Sequence, residues 1–97
     1  MPTYVTLMRY TDQGIRSIKE SPARLEAAKK TARDAGAEIK SFYLALGKYD
    51  AVVIIEGPDD ETAARLTLSF GSLGNVRTET LRVFNEAEFR KVVSSIP

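Results

Sequence analysis

Two kinds of hydrophobic period interleave along the chain. Thr3 to Tyr10 is rich in β-branched and aromatic residues and runs into Thr11-Asp12-Gln13-Gly14, so it reads as a strand closed by a turn. Gly14 to Lys19 reads as a short helical turn. Ser21 then supplies an N-cap with Pro22 at the first helical position, Leu25, Ala28, Ala32 and Ala35 recur at helical spacing, and Gly36 falls where a left-handed C′ residue belongs. The spacing predicts a helix over Pro22 to Ala35. Glu38 to Leu46 and Tyr49 to Gly57 read as strands joined by a two-residue turn at Gly47-Lys48. Asp59 opens a second helix, whose Ala63, Leu66, Phe70 and Leu73 share one face before Gly74-Asn75 stops it. Arg77 to Phe84 is the fourth strand. Asn85, with Glu88 three residues later, opens a short amphipathic tail helix carrying Phe89, Val92, Val93 and Ile96.

The order βαββαβ plus a tail helix predicts an α+β, ferredoxin-like fold in which two helices cover one face of a four-stranded antiparallel sheet. With Gly47-Lys48 as the turn, Leu44 opposes Ala51 and Tyr43 opposes Val52. Phe42, Leu44, Leu46, Tyr49, Ala51, Val53 and Ile55 then lie beneath the helices, and Val5, Leu7, Leu81 and Val83 are assigned with them. The opposite face is expected to carry Tyr4, Met8, Tyr10, Tyr43, Val52, Ile54 and Phe84, with Thr80, Arg82, Asp50 and Glu56. Such a face is too apolar to meet water, and the simplest cover is the same surface of a second copy. A homodimer is the expectation.

Composition narrows the chemistry. The 97 residues include neither cysteine nor histidine, which leaves no thiolate, imidazole, disulfide or ordinary zinc site, and no cofactor or metal is expected. A net charge of +1 offers little field for nucleic acid or an anionic membrane. No stretch resembles a signal peptide or a membrane span, so residues 1–97 are read as one cytoplasmic domain.

The segments Gln13-Gly14-Ile15, Ser21-Pro22 with Arg24, Gly36, Tyr43 through Gly47-Lys48-Tyr49-Asp50, Pro58-Asp59-Asp60-Glu61 and Gly74-Asn75-Val76-Arg77-Thr78-Glu79-Thr80-Leu81 together resemble the GYD domain family. Members of that family are small bacterial and archaeal proteins grouped with the dimeric α+β barrels and largely without assigned biochemistry. The resemblance implies a dimeric barrel and carries no catalytic residues over.

Candidate chemistry therefore comes from the residues alone. Asp50 at the mouth of an apolar face, beside Tyr10 and Tyr43, has the makings of a general base; the plainer reading is a backbone acceptor that fixes the turn. Asp50 and Tyr43 are the catalytic candidates. Met8, Tyr10, Thr80 and Arg82 are the ligand-binding candidates, although pairing with Glu56 is the favoured expectation for Arg82. The expected function is binding of a small, partly apolar molecule inside the barrel, with cofactor-free isomerase or oxygenase chemistry as its enzymatic form. The alternative is a non-catalytic ligand sensor or a structural assembly subunit.

Overall fold

Strands β1 (Thr3–Tyr10), β2 (Glu38–Leu44), β3 (Ala51–Glu56) and β4 (Val76–Val83) pair antiparallel in the order β2-β3-β1-β4 in the computed structural model, which describes residues 1–97. Helices α2 (Ser21–Asp34) and α3 (Asp60–Ser72) cover one face, as the ferredoxin-like pattern requires. A short helix α1 (Asp12–Arg16) and a 3₁₀ turn (Ile18–Glu20) lead into α2, and α4 (Glu86–Ser94) follows β4. No helix is long and apolar enough to cross a membrane.

The core is thin. Tyr4, Val53, Ile55 and Leu66 meet Ala32, Ala37 and Ala63, with Ile39, Phe42 and Phe70 partly buried around them. Small residues on the inner side of α2 let it approach the sheet, and burial of Ile55 or Leu66 contributes roughly 2–3 kcal/mol each.

Helix boundaries follow local chemistry. Asp59 caps α3 by accepting the Thr62 N–H at 2.8 Å, and that amide, followed by the Thr62 hydroxyl, holds the Asp59 carboxyl below its ordinary range. Gly36, at φ +80°, ends α2 with its own N–H on Arg33 O at 3.0 Å and the Ala37 N–H on Ala32 O at 2.9 Å. Asn85 and Glu88 exchange both bonds of a capping box at the start of α4. Ser21 departs from the expected cap. It is already helical, at φ −57° and ψ −42°, because the 3₁₀ turn runs directly into α2, and its hydroxyl meets that of Tyr10 at 2.9 Å instead.

The hairpin is longer than two residues. Leu44 opposes Ala51 and Tyr43 opposes Val52 as expected, but regular pairing stops there and residues 45–50 form a loop. The Asp50 N–H turns sideways to Met8 O on β1 at 2.8 Å, which releases Leu46 from the sheet and leaves it 98% exposed rather than beneath the helices. At the far end of β2, a register shift between Ile39 and Ser41 lets Ile39 and Phe42 both join the core.

The faces of β1 and β4 are the reverse of those expected. Tyr4 pairs with Ile55 and Arg82, Thr6 with Val53 and Thr80, and Met8 with Ala51 and Thr78, so these residues lie beneath the helices. Val5, Leu7, Leu81 and Val83 lie on the open face with Val52, Ile54 and Tyr43. Both faces of β1 are apolar, so hydropathy does not choose between them. The choice falls to Tyr4, whose hydroxyl reaches Asp60 on α3 at 2.5 Å only from the helix side, and to the contact between the Thr6 and Thr80 hydroxyls at 3.0 Å.

Candidate functional site

The residues singled out in the sequence occupy three separate places. Asp50 sits at the end of β1, where its carboxylate accepts the Tyr10 N–H at 2.8 Å and its carbonyl accepts the Ala45 N–H at 2.8 Å. It continues the β1–β3 ladder into the loop. Tyr43 lies on the other side of the sheet and is 61% exposed, so the structure does not bring it to the cavity that Tyr10 lines.

Met8 and Tyr10 line a cavity of about 100 Å³ between the sheet, α2 and α3. Leu25, Phe42, Val53 and Phe70 make its walls apolar, and Ser21, Arg24 and Asn75 stand among its polar residues. Arg24 is already engaged there, donating to Ser17 O at 3.2 Å and Gly14 O at 3.3 Å. Helix α2 contributes Ser21, Arg24, Leu25 and Ala28 to the lining of the cavity. In the sequence its wall residues read as core, since leucine and phenylalanine at helical or strand spacing give no sign of a space between them.

Thr80 and Arg82 face a separate, shallow recess beside α3, lined also by Tyr4, Asp60 and Thr67. Arg82 stacks over the Phe84 ring at 4.4 Å and bonds Val83 O. Its expected partner Glu56 is on the opposite face, 4.0 Å from Lys40, so the Arg82–Glu56 pair does not form. No three carboxylates come together at metal-ligating spacing.

Tyr4 is the most perturbed group beneath the helices. Burial, and after it the bond to Asp60, push its hydroxyl up from 10.0 to about 12. A value raised by folding means that the protonated group favours the folded state: this contribution is complete below pH 10 and is lost as pH rises toward about 12. The ultraviolet absorbance of tyrosinate should therefore show a late-titrating component whose amplitude falls by one tyrosine in Tyr4→Phe. An identical titration curve for the variant would contradict the assignment.

The face of the sheet opposite the helices is covered by no element of the chain. Val5, Leu7, Val52, Ile54 and Val83 form its centre, with Tyr43 and Leu81 at 61% and 46% exposure. One end is polar: Arg9 lies 4.9 Å from the Tyr49 ring centroid, and the Tyr49 hydroxyl donates to Glu79 at 2.5 Å, a bond that pushes that hydroxyl's pKa up. An apolar centre with a charged margin is the anatomy of a protein interface. The expectation of an over-apolar open face thus survives with different members of β1 and β4, since the alternation is apolar on both sides.

Comparison with known proteins gives a consistent picture. The chain is 36% identical over 89 residues to the "glutamine synthetase and cystathionine beta-lyase binding protein" of Thermus thermophilus, covering 91% of this chain and 94% of that one. It also superposes on the crystal structure of TTHA0845 from the same organism with a TM-score of 0.57 and 25% identity, over 88% of this chain and 95% of the other. The model of the GYD domain matches residues 4–93. With its ferredoxin-like sheet and those matches, the chain belongs to the GYD domain family.

Proposed function

We propose that this chain is a non-catalytic binding protein that works as a two-fold homodimer, its two open sheet faces packed together, and that it docks on metabolic enzymes. The observation that carries the reading is the open face itself, a contiguous apolar patch centred on Val5, Leu7, Val52 and Ile54 with a polar margin. Such a patch needs a cover, and a self-complementary sheet face is covered most simply by its own copy. The relative named for binding glutamine synthetase and cystathionine β-lyase supports the choice of enzymes as clients. Cytoplasmic location is part of the proposal.

Immobilised chain is expected to retain purified glutamine synthetase or cystathionine β-lyase at micromolar concentration in biolayer interferometry, and to release it in competition with free chain. Absence of binding to both enzymes would remove the client part of the reading. The cavity at Met8 and Tyr10 supports a second role within the same reading, that of a sensor whose packing responds to a small apolar molecule held between α2 and α3.

A further inference from the structure

Helix α4 is well built and almost unattached. Its capping box is complete, yet it makes no substantial packing contact with any other element. Phe89, Val92, Val93 and Ile96 are 59%, 51%, 47% and 65% exposed, and Phe84 just before it is 57% exposed. The molecule reaches 52 Å along its longest axis and has a radius of gyration of 14.7 Å, where a compact chain of this length has about 12.5 Å.

A second set of uncovered apolar side chains lies at the other end of the sheet. Leu46 in the 45–50 loop is 98% exposed, and Leu44, on the helix side of the end of β2 by its pairing with Ala51, is 73% exposed. Strand β4 runs from the Tyr10–Val76 pair to the Thr3–Val83 pair, so α4 leaves at the end where β1 begins. The loop bearing Leu46 adjoins Ala51, which pairs with Met8 near the opposite end of β1. The eight residues of β1 put about 26 Å between those ends, whereas the nine residues of α4 extend about 13.5 Å, so the stripe does not reach Leu46 of its own chain.

A two-fold axis between two open faces and perpendicular to the strands reverses one sheet end for end. It carries the α4 end of each chain over the loop end of the other. We infer that α4 is an exchanged arm, its Phe89, Val92, Val93 and Ile96 stripe covering Leu46 in the 45–50 loop of a second copy. This inference rests on the homodimer proposed above and adds the part of the interface that the sheet lacks. Four strands of about seven residues make a patch of roughly 19 by 23 Å, or about 440 Å², whereas stable interfaces bury about 800 Å² per partner. One side of α4 presents about 135 Å², and because exchange is reciprocal each protomer gives and receives that amount, reaching about 710 Å². The arm is also continuous with the sheet interface, since Leu81 and Val83 face the open side immediately before it.

The absence of native cysteine makes the test direct. The double variant Leu46→Cys with Val92→Cys, oxidised, is expected to run as a covalent dimer on a non-reducing gel. Val92→Glu in the otherwise unaltered full chain is expected to weaken dimerisation at least tenfold with an unchanged circular dichroism spectrum, because α4 makes no substantial packing contact in its own chain. A dimer that forms no cross-link and tolerates Val92→Glu overturns the arm and leaves the sheet-to-sheet dimer standing. A cross-link confined to monomers overturns it by showing α4 folded back on its own chain. Normal dimerisation of Val92→Glu with lost enzyme binding overturns it by assigning the stripe to a client. A monomeric unaltered chain overturns both this inference and the homodimer.

Discussion

Gly14→Ala is expected to destabilise the chain by about 3 kcal/mol or more, lowering Tm by roughly 12 °C or more for a domain of this size. Gly14 is buried in α1, and a Cβ there would sit 2.0 Å from the carbonyl oxygen of Asn75. That oxygen belongs to backbone and already accepts the Thr11 N–H at 3.1 Å, so it has little freedom to retreat. The same junction holds Thr11 Oγ1 on Gly74 O at 2.6 Å and Gln13 Nε2 on Asn75 Oδ1 at 3.0 Å, joining the end of β1 to the turn between α3 and β4. Glycine is required here by close approach. Differential scanning calorimetry checks the prediction, and a Tm within about 2 °C of the unaltered chain would be incompatible with a contact of 2.0 Å.

Leu7→Asp is expected to raise the dimer dissociation constant by roughly a thousandfold, equivalent to about 4 kcal/mol. Leu7 stands between Val52 on β3 and Glu79 on β4, in the middle strands of the open face. In a separated monomer the new carboxylate meets water and the fold is kept; between two sheets it is buried among Val5, Val52 and Ile54. Sedimentation equilibrium with circular dichroism separates the two effects. A dissociation constant within threefold of the unaltered chain would show that this face is not the interface.

Much of the fold was legible because it rests on local chemistry. Asp59, Asn85 with Glu88, and the glycines at 36 and 74 each set an element boundary through bonds to neighbours a few positions away. The facing of β1 was not legible in that way. Tyr4, Met8 and Tyr10 alternate with Val5 and Leu7, so a period of two places an apolar side chain on each side and cannot say which side is covered. The deciding bond, from Tyr4 to Asp60, spans 56 positions. The hairpin tip failed for a similar reason: Gly47-Lys48 fits a two-residue turn locally, but Asp50 is drawn to Met8 and Tyr10 on a strand about forty positions earlier. The candidate site came apart with the reversed facing of β1 and β4, which carries Met8, Tyr10, Thr80 and Arg82 to the helix side, away from Tyr43. Asp50 holds backbone, Tyr43 faces outward, and only Met8 and Tyr10 share a cavity.

The proposal of a covering second copy is independent of this reversal, because it rests on the apolar content of both faces and not on which residues fill each one. Light scattering coupled to gel filtration of the unaltered chain tests that claim most directly. A species of twice the 10.7 kDa chain mass is expected at micromolar concentration. A single species at 10.7 kDa would contradict it, leaving the open face to be covered by a client alone.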